Sequence, residues 1–154
     1  MKKFKFQLET LLRVTRSKKE DAEVAFAEAS RSLEEKRAVM QQLLEEMQRG
    51  QREFENLTQA GKRVTVGKLM DYHNFFNWKR EQIEIQQQII LTAKAERQKK
   101  LKELLELMSY LKSIEQLREK RLQEYKDAAL HEEQKMLDEI GLQLFMRNGK
   151  RDAV

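Results

Sequence analysis

The chain has 154 residues, is 37% charged and 40% hydrophobic, and carries a net charge of +5. It contains no cysteine, which excludes a disulfide framework and a thiolate metal site, and no proline, which would cost about 3 kcal/mol inside a helix. No apolar run approaches the ~20 residues of a spanning helix, and aromatic and β-branched residues are sparse, so neither a membrane segment nor a compact globular core is expected.

The opening Met1 to Phe6 has the positive charge of a signal n-region. Gln7, Glu9, Thr10 and Arg13 interrupt any apolar region behind it, so a soluble, unsecreted protein is expected. From Leu8 to Leu57, fifteen positions alternate four and three apart, and eleven of them are apolar. Such spacing places one narrow apolar seam on a helix, expected to run from about residue 4 to 59. A seam of this kind needs a second helix to cover it. Gly50 falls on the seam, where it weakens the helix by about 1 kcal/mol relative to alanine, and it marks a bend or a close backbone approach.

Periodicity stops between Ala60 and Gly67. Gly61 and Gly67 are expected to supply the left-handed conformations of a helix stop and a turn, with Thr65 as the N-cap of the next helix. That second helix, about residues 68 to 147, carries eighteen seam positions from Leu69 to Ala128, twelve of them apolar. Lys79, Gln86, Arg97 and Lys100 are polar seam positions, as is Lys36 on the first helix, and they suggest a loosely held middle. Folding the chain near Arg63 brings the seams together antiparallel, with facing residue numbers totalling roughly 127 and a length of about 85 Å at the helical rise. Phe54 then lies opposite Tyr72, Leu12 near Ile114, and Met1 beside Lys126.

The expected fold class is therefore all-α: one domain, a long antiparallel two-helix coiled-coil hairpin with a C-terminal helix overhang. The overhang carries Leu130, Met136, Leu137, Ile140, Leu144, Phe145 and Met146 with no partner in the chain. An isolated helix with an uncovered apolar face is marginal in water, so it should pair with another protein or fray.

Chemistry-bearing motifs are weak. The stretch Gly61 to Lys68 looks faintly like a phosphate-binding loop, but its glycine spacing is wrong and Leu69 stands where a magnesium-binding hydroxyl belongs. His73 and His131 are far apart and lack a second histidine at ligand spacing. No nucleophile–base or paired-carboxylate constellation stands out from the Glu-rich background, so no enzyme activity, cofactor, metal or small-molecule substrate is expected. Basic residues gather where the chain ends meet: Lys2, Lys3, Lys5, Arg13 and Arg16 approach Arg118, Lys120 and Arg121, with Arg147, Lys150 and Arg151 beyond them. That charge suits an acidic socket. Glu9, Glu20, Asp21, Glu115 and Glu119 dilute it, which argues against nucleic acid. After the turn, Tyr72 and Phe76 fit the seam whereas Phe75 and Trp78 do not. Either these two wrap over the seam edge onto Val64 and Val66, or they form an exposed aromatic patch suited to anchoring a partner.

Several stretches resemble the FliJ family of flagellar export proteins. They are Phe4-Lys-Phe-Gln-Leu-Glu-Thr-Leu-Leu-Arg13, the Tyr72-x-x-Phe75 pair, Leu117-Arg-Glu-Lys-Arg121, Glu133-Gln-Lys-Met-Leu-Asp-Glu-Ile140 and Phe145-Met-Arg147. Similarity extends over nearly the whole chain. The resemblance implies a soluble, non-catalytic part of the bacterial flagellar type III export apparatus, cytoplasmic and held at the inner membrane at the flagellar base. It further implies an antiparallel coiled coil like the central stalk of rotary ATPases. Such a protein binds the hexameric export ATPase with its helix termini inside the ring, and contacts the membrane export gate and export chaperones. On this chain the ATPase-binding residues would be Lys5, Leu137, Ile140, Leu144 and Arg147. Gate or chaperone binding would fall to Phe54, Tyr72, Phe75 and Trp78, with Tyr72 and Phe75 matching the family's aromatic pair. Lys79 stands where the family more usually has an apolar residue. The alternatives are a self-associating structural coiled coil, in which the overhang pairs with its own copy, and a weak basic nucleic-acid binder.

Overall fold

The computed structural model describes residues 2–152. Two long helices, α1 (Glu9–Leu57) and α2 (Val66–Asp152), pack against each other as an all-α hairpin, and no strand occurs among the described residues. Helix α1 begins at Glu9, later than the expected residue 4. The reason lies in the side chains. Phe4 and Phe6 alternate with lysines, and a non-helical backbone lets both rings reach inward: Phe4 meets Tyr125 at 5.5 Å between centroids, and Phe6 packs on the core. The Tyr125 hydroxyl donates to the Lys2 carbonyl at 2.6 Å, so Lys2 lies beside this part of α2, where the expected register puts it; the expected pairing of Met1 with Lys126 lies outside the described residues.

At the turn, Gly61 takes φ of 87°, a left-handed conformation that favours glycine. Gly67 does not: it lies in the first turn of α2, contrary to expectation. Thr65 is the N-cap, its hydroxyl accepting from the Lys68 amide at 3.2 Å. The last turn of α1 contains no basic residue, and Lys62 reaches back to supply one, its ammonium donating to the Asn56 carbonyl at 2.9 Å.

The packing divides into two units. In the first, which joins the chain up to Lys19 to the chain from Leu107 onward, Leu12, Leu111 and Ile114 form the buried core, with Phe6 and Leu11 against it. Arg118 bonds Glu9 at 3.1 Å and Arg16 approaches Glu115 at 3.5 Å. These pairs are exposed and contribute little energy, but they mark the register, and the numbers of Arg118 and Glu9 total the expected 127.

The second unit, Glu20–Glu106, buries Leu33, Ala93 and Leu104 together with two polar side chains, Lys79 and Gln86. Each polar seam position here has a partner. The Gln86 amide donates to the Lys36 carbonyl at 2.9 Å, and the Lys36 ammonium to Ser32 at 2.8 Å. Arg97 donates to Ser30 at 3.0 Å while its guanidinium stacks 4.9 Å over the Phe26 ring. Lys100 lies 3.8 Å from Glu96 and 3.7 Å from Glu103. These groups are buried or half-buried with partners in place, by hydrogen bond for Lys36, Gln86 and Arg97 and by ion pair for Lys100, which removes much of the penalty of placing them on a seam.

Candidate functional site

Two surfaces collect the residues singled out from the sequence. The first belongs to the second unit, next to the turn. Phe54 of α1 and Tyr72 and Phe76 of α2 are half-buried and pack together, Phe54 tilted against Tyr72 with ring centroids 5.6 Å apart and edge-to-face with Phe76 at 5.9 Å. Phe75 extends the cluster, its ring 5.5 Å from that of Phe76. It does not fold onto Val64 and Val66. It lies over Gly50, where an added Cβ would overlap the Phe75 ring. Gly50 is thus the close approach, and the absence of its side chain is what admits the ring.

Trp78 is 54% exposed, and Val66 is more exposed still, so the tryptophan is not tucked under the turn either. Its ring lies beside the Lys79 ammonium, 4.9 Å from the centroid, and the same ammonium is 5.7 Å from the centroid of Phe75. Lys79 itself is only 4% exposed. It pairs with Glu46 of α1, and that bond holds the Glu46 carboxyl below its ordinary value, against the opposing effect of desolvation. This seam position is thus occupied by a charge neutralised by Glu46 on one side and set against the Trp78 and Phe75 rings on the other. The Tyr72 hydroxyl is pushed the opposite way, upward, first by burial and then by the neighbouring Glu53. Together these groups line an open groove of about 600 Å³, with Gly50, Phe75 and Trp78 beside the charged Arg49, Glu53 and Asp71.

Sequence reasoning misses Glu46, although a facing-number total near 127 points to its neighbourhood from Lys79. What hides it is its place beside the seam rather than on it.

The second surface belongs to the first unit. Every residue from His131 to Arg151 is exposed along an unbroken helix. Leu137 is 56%, Ile140 51% and Leu144 51% exposed, so three of the five residues expected to bind an ATPase share one uncovered stretch with Arg147. Lys5, the fifth, is also exposed and lines a separate groove of about 460 Å³ with Phe4, Arg121 and Tyr125.

Neither surface has the makings of a metal centre: no group of three metal-ligating side chains occurs among the described residues. His73 contacts Asn77 at 3.2 Å, one turn along its own helix. No helix among the described residues is long and apolar enough to cross a membrane.

No curated protein and no solved structure matches the chain. Against models of known protein families, residues 4–150 match the family described as Flagellar FliJ protein.

Proposed function

We infer the function from one premise: the chain belongs to the flagellar FliJ protein family, and is a component of the flagellar export apparatus. Within that apparatus its work is contact rather than catalysis. The exposed C-terminal stretch of α2, with Leu137, Ile140, Leu144 and Arg147, enters the hexameric export ATPase as a central stalk, and Lys5 adds a positive contact from its separate groove beside Arg121. Phe54, Tyr72, Phe75 and Trp78 receive the membrane export gate or an export chaperone. The protein couples the two from the cytoplasmic face of the inner membrane, promoting ring assembly or ATP turnover.

The observation that carries this reading is the length of helix left bare. Helix α2 runs about twenty residues past the last half-buried position with its apolar side chains in water. Large uncovered apolar surface on a helix is maintained where a partner covers it. On the other surface, an exposed tryptophan beside a neutralised lysine suits an anchoring contact, because the ring can be buried without stranding a charge.

The test is ATPase stimulation by the full chain and by a Leu137→Glu, Leu144→Glu variant. The substitutions touch nothing in the hairpin, so unfolding behaviour stays unchanged while stimulation is lost. Normal stimulation by the variant contradicts the stalk assignment. Phe75→Ala with Trp78→Ala should instead keep stimulation and lose gate protein in a pull-down.

A further inference from the structure

The uncovered stripe does not continue the seam. Carrying the seam's spacing beyond Tyr125 reaches Ala128 and then the charged Glu132, Lys135 and Glu139 before it turns apolar again at Leu142 and Met146. A second line, roughly half a turn around the helix, carries Leu130, Leu137, Ile140 and Leu144, and the same three-four spacing includes Glu133 and Arg147, while Met136, Leu142, Phe145 and Met146 lie off it. Glu133, Leu137, Ile140, Leu144 and Arg147 are all exposed, and Leu130 is 63% exposed. This is a second seam, built with its own charges.

Those charges are sorted along the helix. Between Leu130 and Ile140 stand Glu132, Glu133, Asp138 and Glu139 against a single Lys135. From Gly141 to Arg151 there is no acidic residue, and Arg147, Lys150 and Arg151 are basic. A parallel copy would set like charges side by side. An antiparallel copy sets each acidic half against a basic half.

We propose that this stripe is a self-pairing surface, occupied by the same stripe of a second copy of the chain in antiparallel orientation. Leu137 of one copy lies against Ile140 of the other, and Glu133 lies within a turn of Arg147 at both ends of the contact. Gly141 falls beside the two-fold axis. Beyond its own helical turn, no described atom of the chain lies within 4 Å of where its Cβ would be, so the space it leaves is unused until a second helix approaches. The paired stretch is about three heptads, short enough for a reversible dimer rather than a permanent one. The proposal stands on the stripe itself and holds whether or not the stripe also enters an ATPase ring.

Sedimentation of the full chain over about a hundredfold range of concentration, at low salt, reads the association directly. Wild type should pass from monomer to dimer. Glu133→Arg and Arg147→Glu should each weaken the dimer by about tenfold or more, and the double variant should return to within about threefold of wild type, because its reversed charges meet again. The hairpin's unfolding midpoint reports whether each variant is folded. A monomer at every concentration, single reversals without effect, or a double variant no tighter than the singles overturns the proposal.

Discussion

Lys79 and Leu137 break the same rule in opposite directions. In the second unit a lysine is buried on a seam; in the first, a leucine stands in water on a bare helix. The buried lysine is completed from within the chain, by Glu46 and two aromatic rings, and so needs no other molecule. The exposed leucine has nothing in its own chain to meet. The contrast separates internal compensation from a vacant contact, and only the second calls for a partner.

Identical substitutions in covered and bare positions give the sharpest test. Leu12 is 1% exposed in the core of the first unit, and Leu12→Ala should cost about 3 kcal/mol by urea unfolding. Leu137→Ala, in the same unit, should change stability by less than about 0.5 kcal/mol. Equal effects would mean that the C-terminal stretch is packed after all.

Glycine provides the next comparison. At Gly50 an alanine would gain about 1 kcal/mol of helix propensity but force the Phe75 ring aside, and Gly50→Ala should be destabilising overall. Gly141 has open space around it, so Gly141→Ala should raise helix content, seen by circular dichroism, with a gain of up to about 1 kcal/mol.

The seam is the most legible feature. Every position of the three-four pattern from Leu12 to Leu57, and from Tyr72 to Arg118, is buried or half-buried, because a period near 3.5 residues admits one line of burial and no other. The facing register comes from the turn, as Arg118 with Glu9 shows. What escapes sequence reasoning depends on side chains off that line. The Lys-Phe-Lys-Phe alternation has the period of extended backbone, yet it abuts a long helical pattern that masks it. Phe75 is hard to place without knowing that Gly50 faces it. Lys79 looks like a defect, because a pairing pattern does not reveal a carboxylate standing beside the seam. For the bare stripe, the missing cover is legible because the facing register runs out of residues near Lys126.

The smallest expected effect lies in acid. Lys79 holds the Glu46 carboxyl below its ordinary value of 4.5. A carboxylate depressed in the folded state contributes its full stabilisation above that value and loses it as pH falls through the folded-state value. Urea midpoints measured through this acid range should fall less steeply for Lys79→Met than for wild type. Parallel curves would show that the pair does not couple to folding.

Helix α2 is covered over most of its length and bare beyond Leu130, and amide hydrogen exchange in dilute solution tests this residue by residue. Exchange should be slowest around Leu104 to Ile114, with little protection from His131 to Arg151 and recovery of protection there when the export ATPase is added. Strong protection of that stretch in the isolated, dilute protein would contradict it.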